Sequence, residues 1–221
     1  MRGSDLKRDW IEREGFVAIS AERLLAAPEK IRDAMGVYMI LLRNIGSIFA
    51  RSSISRIGKI SSWSVEDHQH CYTGESVAIR SRAILHLCGS VRDSGFREFL
   101  LALQHADNAI WPDRDENLNV LEMKLTSWLT ENAIVAFRPC SYVRDVERDL
   151  ISRMPSPLNL RGNTKSQFAS ALKAKRDVFR AHLKTTGQIP QSEPMTRSER
   201  LAGRITNHLA GEPSEFTLRC S

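Results

Sequence analysis

Apolar residues along the chain fall into runs of two kinds. Short continuous runs predict strands. Gly36-Val37-Tyr38-Met39-Ile40-Leu41-Leu42 is β-rich and reads as a central strand. Cys71-Tyr72-Thr73-Gly74 reads as a second strand ending at its glycine, and Ala133 to Phe137 as a third, stopped by Pro139. Longer stretches repeat their apolar positions every three or four residues and predict helices. These are 5–14, 20–27 with Ser20 as N-cap, 76–87, a helix capped by Ser94 with Phe96, Phe99, Leu100 and Leu103 inside, one marked by Leu125, Trp128 and Leu129, and 142–153. Asn163 is placed to cap a long amphipathic helix buried through Phe168, Ala171, Leu172, Val178, Phe179 and Leu183. Residues 44–64 read as a loop or an extended hairpin insert and 107–117 as a surface loop; 185–195 reads as a linker, followed by a weak helix near 196–209 and a loose tail.

The expected fold is therefore α/β. A small three-stranded, mainly antiparallel sheet is flanked by helices, with helical extensions at both ends. Four parts are expected: an N-terminal helical extension over 1–33, a core domain over 34–163, a basic amphipathic helix over 164–184, and a linker and loosely ordered tail over 185–221. Composition agrees with a water-soluble globular chain, at 42% hydrophobic and 26% charged residues. No apolar run has membrane-spanning length and the N-terminus lacks an apolar leader, so the expected location is cytoplasmic and away from membranes. Cys71, Cys88, Cys140 and Cys220 form no CxxC pair and no zinc-finger spacing, and are expected to be reduced.

Charge adds a direction. The net charge is +6. From 161 to 184 there are seven Lys/Arg against one acid, and from 43 to 59 four basic residues (Arg43, Arg51, Arg56, Lys59) and no acid. Two such patches point to a polyanionic partner, although a basic stretch taken alone is as often only a solvated surface. On the long helix Lys173, Arg176 and Arg180 are spaced to share a face, and Lys165 extends the line.

Five spaced elements carry the chemistry: Gly36-Val37-Tyr38, Tyr72-Thr73-Gly74, Arg82 with His86, Glu147, and Asn159. Together they resemble the GIY-YIG nuclease family over about residues 34–163. Arg82 stands eight residues after Gly74, His86 four further on, and Asn159 twelve after Glu147. Each element alone has a bland alternative as a core tyrosine, a surface cation, a solvated helix acid or a turn residue. Their order and offsets carry the resemblance.

The chemistry of the set is coherent. Hydrolysis of a phosphodiester needs an activated water, a seat for phosphate charge and stabilisation of the leaving oxygen. Arg82 offers a fork of donors to a phosphate and shares a helix face with His86. Glu147 borders the buried stripe of its helix, where a carboxylate can hold one hard cation, Mg²⁺ or Mn²⁺. A phenol is a poor base in water, but a nearby cation favours its ionised form. The resemblance implies that Tyr38 or Tyr72 activates the water. Tyr38 is preferred here, with His86 as a proton relay, though the sequence does not rank the two. Gly36, Gly74 and Asn159 are expected to support the site structurally. The implied activity is metal-dependent endonucleolytic cleavage of nucleic acid, with DNA preferred. The alternative is a binding module of the same fold with little turnover.

Three departures bear on that alternative. Tyr38 and Tyr72 stand 34 residues apart, so the intervening 43–70 insert must loop out, and it could touch nucleic acid through its basic residues. Glu75 stands where some members have lysine, and Thr73 where isoleucine is usual.

Overall fold

The computed structural model describes residues 10–52, 64–65, 67–112, 117–160 and 167–189. Its centre is one mixed-length antiparallel sheet in the order β1-β5-β2-β4-β3. The strands are β1 (Val17–Ser20), β2 (Gly36–Arg43), β3 (Ser64–Val65), β4 (His68–Ser76) and β5 (Ala133–Pro139). The sheet is larger than the three strands expected. The central trio β5-β2-β4 corresponds to that expectation, and two edge strands extend it. β1 was hidden because Val17-Ala-Ile-Ser is short and runs straight into a helix; pairing with β5, Val17 opposite Phe137, is what makes it a strand. β3 has two residues, too few for any pattern.

β2 is buried along almost its whole length because it lies mid-sheet, covered on both faces. Its period of two sorts side chains into two cores. Val37, Met39 and Leu41 join Ala136, Leu150 and Met154, with Val143 and Val146 packed beside them. Tyr38, Ile40 and Leu42 join the larger core on the other face.

Besides helical residues 10–13 and a 3-10 turn at Pro28–Lys30, the α-helices are α1 (Ala21–Ala26), α2 (Ile45–Arg51), α3 (Ile79–Cys88), α4 (Gly95–Asp107), α5 (Leu118–Asn132), α6 (Val143–Arg153) and α7 (Gln167–Thr185). Ser20 caps α1 through the Arg23 N–H, and Ser94 caps α4 through the Arg97 N–H at 3.1 Å. Helix α6 covers the Val37 face; the others pack mainly on the Tyr38 side. Nearly every residue of α4 from Phe96 to Gln104 is buried, because α3, α5 and α7 all lie against it. Even Arg97 is fully buried. It donates to the carbonyls of Leu87 and Glu122 and to Thr126 Oγ1, tying α3 and α5 to α4.

One segment differs from expectation in its packing. Residues 45–51, read as loop, form α2; Ile45, Ile48 and Phe49 are buried at i, i+3 and i+4, and Phe49 meets Phe168 edge-on at 5.1 Å. At least the first part of the insert thus belongs to the core. The basic helix α7 packs into the main body through its expected stripe, burying Phe168, Leu172, Phe179 and Leu183, whereas Val178, expected inside, is 61% exposed. Asn163, the 196–209 segment and Cys220 lie outside the described residues.

Candidate active site

The two motif tyrosines sit on neighbouring strands and on the same face. β2 and β4 pair with Tyr38 opposite Gly74 and Ile40 opposite Tyr72. Paired residues project to one side, so Tyr38 and Tyr72 lie diagonally, their rings 6.3 Å apart. A break in register between Ile40 and Leu41 follows, and Cys71 points into the same core.

Both motif glycines are required by close approach. A Cβ on Gly74 would fall 2.3 Å from the Tyr38 hydroxyl oxygen. The phenol therefore lies flat over the bare backbone of β4. A Cβ on Gly36 would fall 2.4 Å from the Arg138 carbonyl oxygen of β5. Only glycine lets the three strands close at these points.

Helix α3 brings His86 down onto this pair. His86 Nε2 lies 2.6 Å from Tyr38 Oη, and its ring meets Tyr72 edge-on at 5.1 Å. Phe96 packs on both Tyr72 and His86. One turn before His86, Arg82 donates from Nη1 to the Asp93 carbonyl at 2.9 Å. Arg82 and Tyr72 also lie close enough to Tyr38 to act on its ionisation. Four of the expected catalytic residues, Tyr38, Tyr72, Arg82 and His86, thus meet in one cluster.

Burial controls the protonation of this cluster. Desolvation pushes Tyr38 well above the usual phenol range, helped by Tyr72 and opposed by Arg82. Desolvation, with Arg82 and Arg97 nearby, holds His86 well below the usual imidazole range. Both groups are therefore neutral near pH 7. Tyr38 is 1% exposed and His86 fully buried, whereas Tyr72 and Arg82 are partly exposed.

Glu147 is carried by α6, which covers the other face of the sheet, and it is buried at 9% exposure. The acid and the phenols therefore belong to elements on opposite faces of β4. Glu75 lies on the Glu147 side, since it pairs with Val37. Its carboxylate is 4.0 Å from Arg144, one turn before Glu147 on α6. Among the described residues no three His, Cys, Asp or Glu side chains group as a metal cage. Mg²⁺ does not need one: it keeps several waters and binds through one or two carboxylates plus substrate phosphate. The chemistry of a single Glu147 donor fits that mode.

Asn159 closes the free edge of β4. Its Oδ1 accepts the Thr73 N–H at 2.8 Å and its Nδ2 donates to the Thr73 carbonyl at 2.6 Å. Leu158 N–H adds a bond to the Cys71 carbonyl. The amide side chain stands in for a missing strand. Thr73 Oγ1 lies 2.8 Å from His70 Nε2 and 2.9 Å from Ser156 Oγ, so the threonine at the isoleucine position serves a buried polar knot.

The basic residues divide differently from the sequence expectation. Arg180 holds Glu98 with two nitrogens. Arg176 lies over the Phe99 ring at 5.1 Å, and Lys173 pairs with Asp177 at 2.6 Å. These contacts turn two of the three cations toward α4 instead of presenting one outward row. Arg43 is 2.7 Å from Asp67. Arg51 is exposed at the end of α2. Arg56, Lys59 and Lys165 lie outside the described residues. The residue that sequence reasoning placed but undervalued is Ser94: it was read as a helix cap, yet its Oγ is 2.6 Å from His86 Nδ1. Its position eight residues after His86 gave no hint, because the turn between α3 and α4 makes the contact.

A small antiparallel α/β sheet with paired phenols, a histidine and an arginine at its centre has the organisation of a phosphodiester-cleaving nuclease domain. The family model for the GIY-YIG catalytic domain matches residues 36–178, more than half of the chain. The chain belongs to the GIY-YIG family, which is a nuclease family acting on nucleic acid and generally using a divalent metal ion. No curated protein and no solved structure matches it. Among the described residues no helix is long and apolar enough to cross a membrane.

Proposed function

We propose that this chain is a divalent-metal-dependent endonuclease that hydrolyses a phosphodiester bond in DNA. The observation that carries the reading is the convergence of Tyr38, Tyr72, Arg82 and His86 on one cluster from three separated elements. Arg82 offers its remaining guanidinium donors to a non-bridging phosphate oxygen and so holds the scissile group. Burial favours Tyr72 over Tyr38 as the group that meets water: Tyr38 is sealed against Gly74, and Tyr72 is partly exposed. In its ionised form Tyr72 takes the proton of the attacking water as the oxygen closes on phosphorus. Tyr38 and His86 stay neutral and hold the Tyr72 side of the site. Glu147, with waters, would hold Mg²⁺ or Mn²⁺, which would supply polarisation of the phosphate and neutralisation of charge at the leaving oxygen.

The test is cleavage of plasmid and oligonucleotide DNA with Mg²⁺ or Mn²⁺, for wild type and Glu147→Ala. Wild type should cut, chelation should stop it, and Glu147→Ala should cut at least about 10³-fold more slowly, which is about 4 kcal/mol of barrier. DNA binding should be largely kept. Cutting by Glu147→Ala at the wild-type rate removes that acid from the reaction. DNA binding with no cutting under either ion leaves a binding module of the same fold.

A further inference from the structure

We infer that Ser94 is a positioning residue of this site: it holds His86 in the tautomer with its proton on Nε2, so that His86 donates to Tyr38 and turns the Tyr38 hydroxyl proton toward Tyr72. The inference rests on the reading above only in giving this hydrogen-bond line a part in hydrolysis; the line itself follows from donor and acceptor chemistry.

The hydrogen-bond line starts at Ser94. Its side chain is fully buried. Its Oγ has two described partners, the Arg97 backbone N–H at 3.1 Å and His86 Nδ1 at 2.6 Å. A backbone N–H can only donate, so the first bond makes Oγ an acceptor. The hydroxyl proton then needs an acceptor of its own, since a buried donor left unmade is costly. Among the described residues that acceptor is His86 Nδ1.

A ring nitrogen that accepts carries no proton, so the neutral ring carries it on Nε2. Nε2 lies 2.6 Å from Tyr38 Oη. His86 is thus the donor in that bond and Tyr38 the acceptor. The Tyr38 proton must leave in another direction. Its two other neighbours are Arg82 and Tyr72. A guanidinium accepts nothing, so the proton is turned to the side of Tyr72, whose ring lies 6.3 Å from that of Tyr38. The result is one directed line, Ser94 to His86 to Tyr38, in which hydroxyl and ring donate onward and the Tyr38 proton faces Tyr72.

The line distinguishes two tyrosines that the motif treats alike. A phenol oxygen that receives a donated proton is favoured in its ionised form. Tyr72 stands where the Tyr38 proton is directed. With the histidine reversed, Tyr38 would donate to Nε2 and its proton would no longer face Tyr72. Ser94 sets this direction without reaching the substrate. Its place is fixed by the N-terminus of α4, the same helix that packs Phe96 against Tyr72 and His86.

The experiment uses the full chain labelled with ¹⁵N, and long-range ¹H–¹⁵N correlation to read which His86 nitrogen is protonated. It compares wild type, Ser94→Gly and Ser94→Thr. Glycine is a tolerated N-cap, so Ser94→Gly removes the hydroxyl with little loss of helix α4; threonine keeps the hydroxyl. Wild type and Ser94→Thr should show the Nε2–H form alone, and Ser94→Gly a mixture or the Nδ1–H form. In DNA cleavage, Ser94→Gly should lower kcat about tenfold or more with KM little changed, a fraction of what a full acid–base group contributes, and Ser94→Thr should restore it. A wild-type His86 protonated on Nδ1, or an unchanged tautomer in Ser94→Gly, overturns the inference. The tautomer decides it whether or not the protein cuts, so a failure of the nuclease reading is seen separately, as absent cleavage with the Nε2–H form in place.

Discussion

The two faces of strand β4 bury polar groups by different means. On the Tyr38 face, phenol, imidazole and hydroxyl are linked to one another beneath α3 and α4, and all can be neutral. On the α6 face the groups include two carboxylates, Glu75 and Glu147, with Arg144 reaching Glu75 from solvent. Neutral groups can be buried completely once their hydrogen bonds are met, whereas a carboxylate needs a cation or water close by. The strand's period of two therefore puts Tyr72 and Glu75 on different faces.

Several measurements would break or sharpen that contrast. The largest expected effect is on the neutral face: Tyr72→Phe should slow DNA cleavage by about 10²–10⁴-fold, the usual weight of a general base. Tyr38→Phe should cost less and leave a cleavage pH profile of the wild-type shape. Equal losses in the two variants, compared by single-turnover rates, would end the distinction between them.

Next comes the knot on the α6 face. Burial lowers His70 from 6.5 to about 4. The unfolded chain therefore binds a proton between these values that the folded chain does not. Stability from this group is whole above pH 6.5 and falls as pH drops toward 4, by about 3 kcal/mol. Urea unfolding at a series of pH values should show that fall, and His70→Gln should flatten its share. An equal slope in the variant would mean that His70 is not the group responsible.

Gly74→Ala tests the seat of Tyr38. The added methyl overlaps the phenol, so strand or ring must shift, at about 1–3 kcal/mol by thermal or urea unfolding. The His86–Tyr38 bond should be disturbed with it. A variant as stable and as active as wild type would show that the close approach is not required.

The smallest expected effect concerns α7. Arg180→Ala leaves Glu98, itself 8% exposed, without its fork. It should cost about 1–3 kcal/mol of stability while leaving the salt dependence of DNA affinity nearly unchanged. A reduced slope of log K against log salt would return Arg180 to the phosphate-binding surface.

Much of this was legible in the chain. β2 announced itself as an unbroken apolar run because it is covered on both faces. The helix stripes around Phe96, Leu125 and Leu150 marked three buried surfaces. The family's glycines, tyrosines, arginine and histidine stood at recognisable offsets, since a strand pair and one helix fix those distances locally. Other features were not legible. β1 exists only by pairing with β5, a partner more than a hundred residues away. The start of β4, His68-Gln-His, looks polar because its histidines find partners inside the fold. The basic helix looked like a nucleic-acid wall, yet its arginines turn toward Glu98 and Phe99 of α4.

By itself, then, the sequence determined the strand and helix periodicities, the family, and the identity of the groups able to handle a phosphate. Only the tertiary structure decided which face of the sheet each group occupies, which charges are already engaged within the fold, and that a helix cap should touch the histidine of the site. The physical reason is distance along the chain. Periodicity and motif spacing report neighbours a few residues away, whereas hydrogen bonds and ion pairs in a folded protein join groups whose separation in sequence carries no signal of their contact.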